Sequence, residues 1–156
     1  MNLFKRTHTC GELNSKENIG DLVSLCGWIS KSRDLGGLHF IDLRDRYGKT
    51  QIVFNEEINK KVFETVKKLG LEDVIGIKGI VVKRPTEAVN EELITGDIDV
   101  EVNDLCIFNE SEPTPFDINK RQSASEDHRL KYRYLELRTQ ELQKNILIRH
   151  NTAIEV

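Results

Sequence analysis

The chain has 156 residues, 31% of them charged and 38% hydrophobic, with a formal net charge of −3. That leaves room for one real core and an appendage, argues against a protein that coats nucleic acid indiscriminately, and includes no apolar run long enough to span a bilayer. The stretch Met1–Arg6 has no signal-peptide core, and the three cysteines, Cys10, Cys26 and Cys106, fit neither a zinc spacing nor a disulfide framework. They read as buried reduced thiols of a cytoplasmic protein.

Met1–Gly20 is polar and irregular, with a short helical turn near Gly11–Leu13. Asp21–Lys31 reads as a first long strand, with Val23, Leu25 and Ile29 on one parity and Gly27 marking a bend. A tight turn at Leu35-Gly36-Gly37, where glycine supplies positive φ, leads into a second strand over Leu38–Arg44. There His39, Ile41 and Leu43 share one face, and Leu38, Phe40, Asp42 and Arg44 the other. Asp45–Lys49 is a second turn, with Gly48 as its left-handed residue. Thr50–Asn55 forms a third strand in which Ile52 and Phe54 alternate with Gln51.

The period then changes. Val62, Val66 and Leu69 fall at helical spacing within Asn59–Gly70, lysines cover the other side, and Gly70 is expected as the C-cap. Val74–Lys83 is a β-branched fourth strand stopped by Pro85. After a loop to Gly96, Asp97–Val102 alternates strictly, with Ile98, Val100 and Val102 inward and Asp97, Asp99 and Glu101 outward, and it runs on through Leu105–Phe108. Three strands, a helix and two strands is the order of an OB-fold. The expected class is mainly β, a five-stranded barrel over residues 1–108 with its helix between the third and fourth strands.

Past Phe108, residues 109–124 read as a hinge containing Pro113 and Pro115. Ser123-Ala124-Ser125-Glu126 has capping-box spacing and opens a helix carrying Leu130, Tyr134 and Leu137. Thr139 is placed to cap a further helix with an apolar stripe at Leu142, Ile146, Ala153 and Ile154. That stripe belongs either to a cut protein, residues 125–156 being the start of a further domain, or to a helix folding back on the barrel. Such barrels bind oligonucleotides on the face of strands two and three, where Phe40 and Gln51 fall. Phe40, outside the core beside Lys31, Arg33 and Arg44, is either a base-stacking platform or a surface aromatic. His8, His39, His128 and His150 are scattered and read as structural, and no His or Cys cluster makes a nucleophile or a metal site.

Six segments carry a family resemblance. Leu25-Cys26-Gly27-Trp28, Arg33-Asp34-Leu35-Gly36-Gly37, Phe40-Ile41-Asp42-Leu43-Arg44-Asp45, Gln51-Ile52-Val53-Phe54, Thr95-Gly96-Asp97-Ile98-Asp99-Val100 and Arg129-Leu130-Lys131-Tyr132-Arg133-Tyr134-Leu135-Glu136-Leu137-Arg138 together resemble bacterial aspartyl-tRNA synthetases, from about Thr7 to Val156. The barrel segments alone are shared with lysyl and asparaginyl enzymes; the combination with Arg129–Arg138 is specific. The resemblance implies an N-terminal OB-fold that binds the tRNA anticodon, a hinge, and a class II catalytic domain. It places the aspartate, ATP and magnesium sites beyond Val156, so the fragment is expected to be inactive alone. The parent is expected to be a cytoplasmic homodimer and the fragment monomeric or weakly associated through its last helix.

Residue by residue, the resemblance makes Phe40 the aromatic that stacks on the central anticodon uridine, Gln51 the glutamine that reads base edges, and Arg33 an arginine that contacts base and backbone. Asp99 stands where the family has glutamate to read the first anticodon base, a guanosine, with a reach shorter by one methylene. Lys31 and Ser32 replace an arginine run, so one phosphate contact is expected to be weaker. Arg33, Arg44 and Arg84 are expected to supply position and salt sensitivity. Leu35 sits where members strict for aspartate tRNA more often have leucine and those that also charge asparagine tRNA histidine. Two rival readings without that resemblance are a free-standing single-strand-binding OB-fold and a barrel whose polar face meets a partner protein.

Overall fold

The computed structural model describes residues 4–155, apart from the side chains at positions 119, 121 and 123. Five strands form: β1 (Leu22–Asp34), β2 (Leu38–Arg44), β3 (Lys49–Asn55), β4 (Val74–Lys83) and β5 (Ile98–Asn109), with helix α1 (Lys60–Val66) between β3 and β4. They close into a ring in the order β1-β2-β3-β5-β4. All neighbours are antiparallel except β3 and β5, which close the ring as a short parallel pair, Ile52 beside Val100 and Val53 beside Glu101. Closure leaves few unpaired edges to recruit other chains.

The inward parity is the expected one: Val23, Leu25, Ile29, Ile41, Leu43, Ile52, Phe54, Ile98, Val100 and Val102 are all buried. Cys10 and Leu13 from the N-terminal segment and Phe63 and Val66 from α1 join this core. Of the cysteines only Cys10 is buried, and all three are free thiols. Helix α1 differs from expectation. Asn59 caps it by accepting from the Val62 N–H (3.1 Å), but it ends at Val66, because Phe63 rather than Leu69 reaches the core and Leu69 is only partly covered. Gly70 is not its cap. The Gly70 N–H donates to Asp73 Oδ2 (2.7 Å), and the left-handed residue of this connection is Glu72, at φ 67°.

The two turns also divide their glycines differently. Gly36 takes the left-handed conformation (φ 85°) at the tip of the β1–β2 hairpin. Gly48 does not: it is small because a Cβ there would lie 2.7 Å from the Gly11 Cα. Asp45 folds that second turn, its Oδ1 accepting from the N–H groups of Tyr47 (2.7 Å) and Gly48 (3.0 Å) and its Oδ2 from that of Cys10 (2.9 Å).

One irregularity in β1 decides what the outer face presents. Ile29 pairs with Leu43, but Lys31 pairs with Asp42, so Ser30 is an extra residue, a β-bulge. Strict alternation from Val23, Leu25 and Ile29 would send Lys31 and Arg33 into the core. The bulge reverses the parity, so Arg33 lies across from Phe40 on the outside and Ser32 across from Ile41 on the inside. Ser30 Oγ donates to the Asp42 carbonyl oxygen (2.9 Å) and pins the bulge to β2.

The chain divides into two compact units, one up to Pro113 and one from Thr114 on. In the second unit Phe116 and Ile118, from the stretch read as a hinge, bury with Leu135. The helix expected to carry Leu130, Tyr134 and Leu137 is broken at Tyr132 into α2 (Glu126–Lys131) and α3 (Arg133–Glu136), leaving those three exposed. Ser125 caps α2 by accepting from the His128 N–H, whereas the Ser123 side chain lies outside the described residues. Glu136 is buried and ion-paired with Arg129 (3.5 Å) and Arg133. Helix α4 (Gln140–Glu155) buries none of its residues, and the Thr139 hydroxyl before it has no hydrogen-bond partner among the described residues. No described helix is long and apolar enough to cross a membrane.

Candidate nucleic-acid interface

The residues read from the sequence as a site converge, with two exceptions. Arg33, Phe40, Gln51, Arg84 and Asp99 line one pocket of about 290 Å³, and Leu35, Pro85 and Ala88 complete its wall. The elements explain the convergence. Phe40 and Gln51 are outward residues of neighbouring strands, Arg33 is turned to the same face by the bulge, and Asp99 lies on β5 one residue before the Val100 that pairs with Ile52. Phe40 is half-buried, neither a core residue nor a fully exposed one.

Arg33 Nη2 donates to both Gln51 Oε1 (3.1 Å) and Asp42 Oδ1 (3.3 Å). Asp99 departs from expectation. It is not a solvated strand position but is buried, and its Oδ1 accepts from Arg84 Nε (3.1 Å) and Nη2 (2.6 Å). Burial raises its carboxyl above the usual range, while the Arg84 guanidinium, with Arg33 adding to it, pulls the other way. Its Oδ2 has no hydrogen-bond partner among the described residues and is the oxygen left to a ligand. Asp97 is likewise engaged, accepting from the Ser15 N–H (3.2 Å), which lowers its pKa.

The cations divide in a way the sequence reading does not anticipate. Arg84, with 4% of its side chain exposed, is committed to Asp99 and also donates to the Ile98 carbonyl oxygen (3.0 Å). Arg44 lies outside the pocket and makes two hydrogen bonds to Glu72 (2.8 and 3.0 Å). Neither is a loose surface cation for a phosphate. Lys31 also lies outside the pocket, but it is exposed and has no ion pair among the described residues. Arg33, with 43% of its side chain exposed, keeps donors beyond the one nitrogen it uses.

Two contributors escape the sequence reading. Ser30 makes the bulge and Asp42 holds Arg33. The parity conflict at Lys31 and Arg33 is the signal that marks the bulge. Behind this face, His39 is buried with its Nε2 2.7 Å from Ser32 Oγ, and its Nδ1 has no hydrogen-bond partner among the described residues. Burial lowers its pKa, Asp34 raising and Lys67 lowering it in smaller measure. The pocket offers an aromatic ring, an amide, one carboxylate oxygen and a guanidinium, which suits stacking on a flat ring and hydrogen-bonding its edge. Among the described residues no group of three or more His, Cys, Asp or Glu is placed to hold a metal ion.

A family model for the OB-fold nucleic acid binding domain of the tRNA anticodon type matches residues 23–105. The aspartate–tRNA ligase of Halalkalibacterium halodurans is 46% identical over 151 residues, which is 97% of this chain and 25% of that protein. The aspartate–tRNA(Asp/Asn) ligase of Caldanaerobacter subterraneus is 49% identical over 146 residues, 94% of this chain and 24% of that protein. The chain thus spans about a quarter of the length of the curated relatives it matches. Among solved structures, the asparaginyl-tRNA synthetase from Pyrococcus horikoshii complexed with asparaginyl-adenylate superposes with a TM-score of 0.72 at 29% identity, over 88% of this chain and 30% of that one.

Proposed function

Because this chain belongs to the tRNA anticodon family of OB-fold nucleic acid binding domains, we propose that its pocket binds the anticodon loop of an aspartate-type tRNA and that it is the N-terminal part of an aspartate–tRNA ligase. The observation that carries the reading is the convergence of Arg33, Phe40, Gln51 and Asp99 on one pocket on the outer face of β2 and β3. An anticodon loop presents unstacked bases. Phe40 takes the face of the central base; Gln51 and the free oxygen of Asp99 meet base edges. Stacking tolerates any base, so specificity rests on those polar groups. Arg33 and Lys31 hold the backbone, and the Arg84–Asp99 and Arg44–Glu72 pairs hold the protein around them.

The test is filter binding of an anticodon stem-loop with guanosine first and uridine central, against versions changed at either base. The reading expects tighter binding of the first by tenfold or more. Equal affinity for all loops, or for an unstructured oligonucleotide, would make the domain a general single-strand binder instead. No salt-dependent binding at all would leave the protein-partner barrel.

A further inference from the structure

We propose that Asp42 is a positioning residue that fixes which end of the Gln51 amide faces the bound base, and so makes this pocket select a keto over an amino group. The inference rests on the anticodon reading above and goes further by naming what sets its base preference.

A guanidinium has five N–H donors and no acceptor. The end of the Gln51 amide that lies 3.1 Å from Arg33 Nη2 is therefore its oxygen, whatever else the side chain meets. The NH₂ end is turned the other way, and within the described residues it has no hydrogen-bond partner and is not closed off from solvent. Gln51 thus enters the pocket as a donor. A donor there welcomes a base oxygen, as on uracil or guanine, and meets the amino group of cytosine or adenine donor to donor.

Arg33 does not hold this orientation by itself. It lies at the exposed end of β1, and its ion-pair partner among the described residues is Asp42 (3.3 Å). Asp42 is the less exposed of the two, 18% against 43% for the side chains, and is fixed on β2 between Lys31 of β1 and Gln51 of β3 in register. A single Arg33 nitrogen, Nη2, donates to both Asp42 and Gln51, so the two contacts share one anchor. Without the charge on Asp42 the guanidinium is released to solvent, and the amide is free to turn its oxygen to the pocket and accept from an amino group.

The test is Asp42→Asn, isosteric and on the outer face. Affinity is measured for two stem-loops that differ only in a central uridine or cytidine. The parent is expected to favour uridine by at least tenfold. The variant is expected to bring the two within about threefold, with less loss on uridine than that change in ratio and a near-parental melting temperature. In the RNA-free protein, the Gln51 side-chain NH₂ resonances are expected to be sharp in the parent and exchange-broadened in Asp42→Asn. A parent that prefers uridine and a variant that keeps the same ratio would overturn the assignment to Asp42 alone. A parent that binds neither stem-loop would overturn the anticodon reading and this inference with it. Should Asp42→Asn melt far below the parent, Asp42→Glu, which retains the charge, is expected to restore the ratio, and its failure to do so counts against the proposal.

Discussion

Arg33 stands directly across the β1–β2 ladder from Phe40, and it does so because Ser30 is bulged out of register between Ile29 and Lys31. An inserted residue has converted two inward positions into outward ones, placing a cation beside an aromatic ring on the face that carries the pocket.

Phe40→Ala separates the two roles an aromatic can have. A stacking phenylalanine contributes about 1–3 kcal/mol per base, roughly five- to over a hundredfold in affinity. A core phenylalanine cut to alanine loses about 3–5 kcal/mol of stability. Half-buried outside the core, Phe40 should lose at least fivefold in stem-loop affinity with a small change in melting temperature, and Ile41→Ala should do the reverse. The salt slope of Phe40→Ala should equal the parent's, since no phosphate contact has gone.

Arg84→Met removes one partner of a buried pair. It is expected to destabilise the barrel by about 3–5 kcal/mol in a urea melt, because Asp99 is left buried without its cation. Asp99→Asn retains an oxygen for Arg84 and should cost far less stability, yet weaken preference for guanosine at the first anticodon position. If Arg84→Met instead lowers the salt dependence of RNA binding and spares stability, Arg84 is a phosphate contact.

The salt slope should follow the cations left loose. Lys31→Ala is expected to reduce the magnitude of d log K/d log [salt] by about 0.7, as for one single-strand phosphate contact. Arg44→Met should leave that slope alone and lower stability by about 2 kcal/mol, having broken two charge-assisted bonds to Glu72. Titrating stem-loop affinity from low to high salt checks both.

His39 gives the fold a pH dependence. Its folded-state pKa is depressed by burial, so near its unfolded value of about 6.5 the unfolded chain binds more protons. Stability from the neutral ring is therefore present above about pH 6.5 and is lost as pH falls toward the depressed folded value, with a slope of at most about 1.4 kcal/mol per pH unit. Urea midpoints between pH 7.5 and 5.5 should fall more steeply for the parent than for His39→Gln, which keeps a polar partner for Ser32.

Much of this was legible in the sequence because the apolar residues obey one period per element. Ile52 and Phe54, or Ile98, Val100 and Val102, admit one inward face, and the change of period at Val62 announces a helix. Phe40 and Gln51 follow from parity alone. Parity signals a break in register only through the conflict at Lys31 and Arg33, and it does not say which residue is extra; the pairing of Ile29 with Leu43 and of Lys31 with Asp42 assigns it to Ser30. Nor does parity show whether a charge has a partner: Arg44 and Glu72 are 28 residues apart and meet across β1, and Arg84 and Asp99, 15 apart, meet through the pairing of β4 with β5. In the second unit the spacing of Leu130, Tyr134 and Leu137 assumed one continuous helix, and the break at Tyr132 shifts burial to Leu135.

Closure through β3 and β5 also sets when the pocket is completed during synthesis of the chain. The two strands meet at Ile52 and Val100, nearly fifty positions apart, in a parallel pairing that no hairpin can start. β1–β3 alone carry Arg33, Phe40, Asp42 and Gln51, and they leave two edges open, that of β1 until β4 pairs with it and that of β3 until β5 does. Asp99 joins that face only when β5 pairs with β3, the same event that hides the β3 edge from other nascent chains.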